Sequence, residues 1–229
     1  MGTKKFKFLI AALIAMVAAT AYANGPWNRF FQDGKFPGQK LLEIYVWSAP
    51  TVATSTYMTS ATAQPSPTPS VIAPLVITTF IQQPDVARNV TLTPGGTTAH
   101  VGPGTAVISG TNIYGDALSE NLTVTSGSAS ALTGQHAFQT VSSVSIPTAI
   151  GAAVTWSVGV GSALGVTRCT KDAADYAWSS FGGAYETTRG TFASDPADVS
   201  LNTFNPHGTM NGATAVKLFY VQNYGCWPH

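Results

Sequence analysis

Thr105-Ala106-Val107-Ile108-Ser109-Gly110-Thr111-Asn112-Ile113, then Tyr114-Gly115-Asp116, then Ala117-Leu118-Ser119-Glu120-Asn121-Leu122-Thr123-Val124-Thr125 is the stretch that decides the fold class. Two short runs rich in β-branched residues flank a turn signal, the spacing of neighbouring antiparallel strands. In the second run Leu118, Glu120, Leu122 and Val124 share one face under the two-residue strand period. That places one carboxylate among aliphatic side chains, and a buried charge needs a partner. Arg88 is the expected partner of Glu120, as a structural pair; the alternative is a Glu120 that reaches solvent at a sheet edge.

The same pattern extends to both sides. Runs at 75–81, 88–93, 138–146 and 154–160 read as strands separated by turn formers. Upstream, Leu41-Leu42-Glu43-Ile44-Tyr45-Val46-Trp47 reads as a strand bounded by Pro50. Downstream, Ala215-Val216-Lys217-Leu218-Phe219-Tyr220-Val221 is apolar on both faces save Lys217, which suggests a strand deep in a sheet. Trp178-Ser179-Ser180-Phe181-Gly182-Gly183 and Asn205-Pro206-His207-Gly208 read as loops. The expected fold class is all-β, an antiparallel β-sandwich or barrel-like domain with an extended N-terminal arm.

Between the first strand and the main set, residues 51–70 are low in complexity and end in Gln64-Pro65-Ser66-Pro67-Thr68-Pro69-Ser70. Alternate prolines favour an extended polyproline II segment, so a linker is expected. The organisation read from the sequence is an apolar and aromatic, signal-like segment with the first strand at 1–50, a Pro/Ser/Thr-rich linker at 51–70, and a β-rich domain at 71–229.

Composition agrees with this class. Of 229 residues only 9% are charged, against 45% hydrophobic, with 22 Gly and 14 Pro. Ser and Thr, roughly a fifth of the chain, supply the polar surface that charges supply elsewhere. The formal net charge is +1. A nucleic-acid groove would need a basic excess that this chain lacks. The charge is unevenly placed: Lys4, Lys5, Lys7, Arg29, Lys35 and Lys40 against Asp33 leave residues 1–40 at about +5 and the remainder at about −4.

The N-terminal segment has two readings. Lys4-Lys5-Phe6-Lys7, the apolar run from Phe8 to Ala19, and Ala21-Tyr22-Ala23 form the three parts of a secretory signal peptide, with cleavage after Ala23. On the other reading the apolar run is a retained structural segment, buried at a contact. It is short for a membrane span of about 20 residues. Residues 24–40 mix turn formers with Trp27, Phe30, Phe31 and Phe36, rings that either dock onto a neighbour or tuck into the domain's own core. Cys169 and Cys226 inherit the choice of compartment. Exported, they could form a disulfide closing a loop of about 58 residues, worth about 4 kcal/mol in the chain-entropy model; in a reducing cytoplasm they stay thiols.

No catalytic, cofactor-binding or metal site is read from the sequence, and no cofactor is expected. His100, His136, His207 and His229 are scattered singly. Gly159-Val160-Gly161-Ser162-Ala163-Leu164-Gly165 has a glycine one residue late for a dinucleotide loop, and a turn after a strand explains it better. Asp172 with Asp175, and Asp195 with Asp198, sit in Ser/Ala/Pro-rich loops where carboxylates cap short helices or face solvent. The sequons at Asn89 and Asn121 fall inside expected strands.

Four blocks then stand out: Gln83-Pro84-Asp85-Val86-Ala87-Arg88-Asn89-Val90-Thr91-Leu92-Thr93; the stretch from Ile108 to Val124; Trp156-Ser157-Val158-Gly159-Val160-Gly161-Ser162-Ala163-Leu164-Gly165-Val166; and Asp198-Val199-Ser200-Leu201-Asn202 with the run from Asn211 to Val221. Together, over roughly residues 72–221, they resemble a group of tailed-bacteriophage virion proteins. The resemblance implies a small β-rich structural protein of the particle, a capsid decoration or cement protein on the major capsid lattice. It implies as partners the major capsid protein, other virion proteins and further copies of the chain in a homo-oligomer, with no direct nucleic-acid contact and no membrane in the mature assembly. Trp27, Phe30, Phe31 and Phe36 would be its anchors, since aromatics dominate interface hot spots. The front departs from the pattern, because phage assembly is cytoplasmic and an export signal is out of place there. The competing expectation is a secreted or cell-surface β-sandwich of fimbrial or adhesin type with a cleaved signal peptide and a Cys169–Cys226 bridge. A secreted hydrolase has only the signal-like segment in its favour.

Overall fold

A computed structural model of the chain describes residues 41–67, 73–170 and 172–222. By contacts the chain divides into two units, residues 1–41 and residues 42–229. The second holds the architecture given below. It is all-β, with three-residue 3-10 turns as its helical elements among the described residues.

The hairpin that decides the class forms as expected. β5 (Gly104–Thr111) and β6 (Ala117–Val124) pair antiparallel in unbroken register from Gly104↔Val124 to Thr111↔Ala117. The turn is set by Asn112, whose Oδ1 accepts the N–H groups of Tyr114 (2.9 Å) and Asp116 (3.0 Å), while Gly115 takes the left-handed conformation (φ 86°) that costs a glycine nothing. With β3 (Leu75–Ile77) and β8 (Thr140–Ile146) this hairpin makes a four-stranded sheet in the order β3-β8-β5-β6.

A second sheet runs β12-β13-β9-β4-β7, from β12 (Thr191–Ala193), β13 (Thr203–Asn205), β9 (Val154–Gly165), β4 (Arg88–Gly96) and β7 (Leu132–Phe138). β2 (Thr54–Ala63) also pairs with β9. The third sheet is β1-β14-β10-β11, from β1 (Leu41–Trp47), β14 (Val216–Gln222), β10 (Tyr176–Phe181) and β11 (Ala184–Tyr185). Every strand pairing whose register is resolved is antiparallel.

There are two hydrophobic cores, and β9 serves both. Val158 and Val160 pack with Met58, Ile108, Phe138 and Trp156 in the larger core. Leu164, further along the same strand, packs with Trp47, Tyr176, Phe204, Leu218 and Tyr220 in the smaller, aromatic one.

Several expectations are corrected here. Residues 51–70 are not a linker throughout: β2 occupies 54–63, with Met58 fully buried. Its Ser/Thr/Ala composition carries no two-residue alternation, the adjacent Met58 and Thr59 both being buried in a strand whose register shifts, and only pairing with β9 makes it a strand. The glycine-rich run 159–165 is no turn but the second half of β9, where small residues admit close neighbours. A Cβ on Gly161 would lie 2.6 Å from Asn89 Cγ, and one on Gly165 would lie 2.7 Å from Ala137 Cβ. Residues 178–181, read as loop, belong to β10; the two glycines after it (φ 61° and 84°) make the tight hairpin turn to β11. Ser179 and Ser180, which look like loop formers, are buried in that strand, Ser179 Oγ bonding to the Tyr176 hydroxyl at 2.7 Å and to Glu186. β7 was not expected as a separate strand, and β3 is shorter than the run 75–81.

Candidate interaction surface

The residues singled out for chemistry are absorbed by the fold. Arg88 is fully buried, but its partner is Asp85, not Glu120. Its Nη1 donates to Asp85 Oδ1 at 3.0 Å and to the Thr51 carbonyl at 3.0 Å, and its Nε donates to the Gly161 carbonyl at 2.8 Å. Asp85 also accepts the Thr51 N–H at 2.6 Å. Burial works to raise the Asp85 carboxyl, and the Thr51 N–H and the Arg88 guanidinium outweigh it, holding the group below the usual carboxylate range.

Glu120 does lie on the inner face of β6, also buried, with one carboxylate oxygen held by backbone and Oε2 without a hydrogen-bond partner. Its Oε1 accepts the N–H of Gln135 at 2.5 Å and that of His136 at 3.4 Å. The pairing of Arg88 with Glu120 is therefore corrected: the sequence places both inside, and the local geometry gives each a nearer partner. An aspartate three residues before Arg88 was the signal for the first, since a short loop brings Asp85 back onto it.

Three of the four acidic residues bind nearby backbone N–H groups, while Asp175, within the 3-10 turn Ala173–Asp175, is buried and neither caps that turn nor faces solvent. Asp172 accepts the Ala174 N–H at 2.9 Å, Asp198 the Ser200 N–H at 2.8 Å, and Asp195 those of Ala197 and Asp198 at 2.7 and 2.9 Å. Asn89 is buried between Gly134 and Ala163, 3.0 Å from each, while Asn121 is exposed on β6. Cys169 is buried. Cys226, His229 and the aromatics Trp27, Phe30, Phe31 and Phe36 lie outside the described residues.

One cluster has the composition of a catalytic triad. His136 Nδ1 lies 2.6 Å from Ser200 Oγ and 3.6 Å from Asp198 Oδ2, and Ser200 Oγ donates to Asp198 Oδ1 at 2.6 Å. The order is wrong for nucleophilic catalysis. The serine proton goes to the carboxylate, so the imidazole N–H donates to Oγ instead of accepting from it. Ser200 is moreover 2% exposed, out of reach of a substrate. The cluster pins the 3-10 turn Val199–Leu201 against β7.

What the fold leaves facing outward is the far side of the β1-β14-β10-β11 sheet. Trp47, Val216, Leu218 and Tyr220 fill the aromatic core from its inner side. By the two-residue strand period the alternate positions point away from that core. On β1 these are Leu42 (48% exposed), Ile44 (53%) and Val46 (48%); Trp178 on β10 (38%) and Tyr185 on β11 (70%) continue the face. Between them Phe219 of β14, half-buried, stacks on Trp178 with ring centroids 5.0 Å apart and planes at 23°, and Tyr185 lies 6.4 Å from Phe219 and 6.5 Å from Trp178. Lys217, opposite Ser180, stands at one end of this face. At the C-terminal end of β1 a cleft of about 410 Å³ opens, lined by Tyr45, Trp47, Asp85, Ile113 and Gln139.

Beneath the face lies a polar group in which Glu43 Oε2, Trp47 Nε1 and the Tyr220 hydroxyl have no hydrogen-bond partner. Glu43 Oε1 lies 3.6 Å from Arg168 Nε, and burial, then the Glu43 carboxylate, push the Tyr220 phenol well above its ordinary pKa. Compared with known proteins, the chain matches no family model, no curated protein and no solved structure.

Proposed function

We propose that this chain is a non-enzymatic structural protein of a tailed-bacteriophage particle, a decoration or cement protein that stabilises the head by bridging major capsid subunits. The observation that carries this reading is the apolar outer face of the β1-β14-β10-β11 sheet. Antiparallel sheets with one free side ordinarily turn polar residues to water, and a contiguous apolar patch marks a contact surface. The resemblance of residues 72–221 to virion proteins supports the same reading.

A cement protein works by burying surface across subunit boundaries. A stable contact takes about 1,200–2,000 Å² in total, and repetition over a lattice multiplies modest contacts into a strong hold. The basic, aromatic residues 1–40 add a second adhesive element, with Trp27, Phe30, Phe31 and Phe36 as its anchors.

A second reading keeps one specific observation in its favour. The signal-peptide pattern from Lys4 to Ala23 fits a secreted or cell-surface β-protein of fimbrial or adhesin type.

Intact-mass and peptide analysis of density-purified particles and of the surrounding medium separates the two. The virion reading expects the chain in the particles, in a fixed ratio to the major capsid protein. Absence from particles, with a secreted form beginning at Asn24, would overturn it. A chain lacking residues 1–40 is expected to fold and yet fail to attach, as scored by imaging of particles.

A further inference from the structure

We infer that the outer face of the β1-β14-β10-β11 sheet packs against the same face of a second copy of this chain. On the proposed reading this assigns the face to contact between copies and leaves attachment to the lattice to residues 1–40; the self-association itself stands whether the protein acts on a particle or at a cell surface.

The first argument is area. Aromatic side chains offer roughly 150–250 Å² each and aliphatic ones somewhat less, so the exposures given above amount to on the order of 500 Å² before Phe219 and Val221 are added. That is at the upper end of the largest patch on an ordinary monomer, about 300–600 Å². Each partner brings roughly 800 Å² to a standard interface, so these side chains alone supply the greater part of one.

The second argument is the composition of β1. Its exposed positions are Leu42, Ile44 and Val46, and its one charge, Glu43, turns inward to Arg168, so no charged side chain interrupts the outward face on this strand.

The third is self-complementarity. Lys217 is the charged residue of the face and lies at its end, so a twofold arrangement brings no like charges together at the centre. Two pleated apolar faces stack about 10 Å apart with interdigitating side chains. A second copy supplies that matching pleat, and an isologous contact needs no further partner.

Sedimentation velocity on the full chain over a concentration series tests this, with three variants on exposed apolar positions. Ile44→Lys on β1 and Tyr185→Lys on β11 sit on opposite edges of the face; Ile81→Lys is equally exposed but lies elsewhere. The wild type and I81K should sediment as dimers. Both face variants should weaken association at least about a hundredfold and run as monomers with an unchanged far-UV CD spectrum. A monomeric wild type overturns the inference, as does a dimer that survives both face substitutions. Loss with I44K alone would also overturn it, because that result means pairing through the β1 edge and not stacking of the face. A variant that loses its CD spectrum is replaced by Val46→Ser or Tyr185→Ser, which remove apolar surface without adding charge, and the same criteria apply.

Discussion

At the scale of single residues, the most exacting site is Arg88, a cation without exposure whose donors meet Asp85 and the carbonyls of Thr51 and Gly161. Arg88→Ala removes a paired charge and orphans buried acceptors, so a loss of about 3–5 kcal/mol is expected from urea unfolding. Glu120→Ala orphans the Gln135 N–H and should cost about 1–3 kcal/mol. Because the two side chains have separate partners, their effects should add within about 0.5 kcal/mol in the double variant; a larger coupling would show that they communicate. Asp85 supplies a pH dependence. Its folded pKa lies below the unfolded value of about 3.9, so its contribution is complete above that value and is lost as pH falls through the folded pKa. Stability should therefore decline on acidification below about pH 4, and Asp85→Asn should make the acid limb shallower in thermal melts.

Secondary elements are governed here by small residues at crossings. Gly161 in β9 lies against Asn89, whose amide is locked between Gly134 and Ala163 at 3.0 Å each. Asn89 cannot move aside without losing both bonds, so Gly161→Ala should destabilise by about 2–3 kcal/mol in the same unfolding assay. The opposite case stands just before β9. Ala153 has φ 63°, a left-handed conformation that costs a residue with a Cβ about 1–2 kcal/mol. Glycine removes that cost and adds some unfolded-state entropy, so Ala153→Gly should stabilise by up to about 1 kcal/mol and raise Tm by about 2–4 °C in calorimetry. A fall in Tm would mean that the turn does not need its left-handed residue.

For the whole molecule, two cores strung on one long strand make residues 42–229 a single contact unit. The aromatic core is closed by β1 at the front of this unit and β14 near its end, so the sheet that bears the exposed face joins strands separated by most of the chain. That topology explains why the face was not read from the sequence: Leu42, Trp178, Tyr185 and Phe219 belong to four separate segments.

The sequence by itself determined the fold class, because two-residue alternation, β-branched runs and glycine turns are local signals that each strand carries within its own few residues. The hairpin of β5 and β6 is the clearest case: its alternation and a turn at Tyr114-Gly115-Asp116 could be read before any contact was known, while the part of Asn112 in that turn and the choice of an inward Glu120 came from the structure. The capping roles of Asp172, Asp195 and Asp198 were legible for the same reason, since a cap binds within three residues of itself. Tertiary structure alone decided the rest. β2 and β10 are strands because their Ser- and Thr-rich backbones find partners in β9 and β14, and serines that favour loops in isolation are satisfied there by Tyr176 and Glu186. Arg88 turned to Asp85 and Glu120 to backbone amides because a buried charge takes the nearest donor or acceptor the folded chain presents. The outer apolar face likewise exists only once β1, β14, β10 and β11 are side by side: adjacency across a sheet is set by strand order, which no single strand encodes.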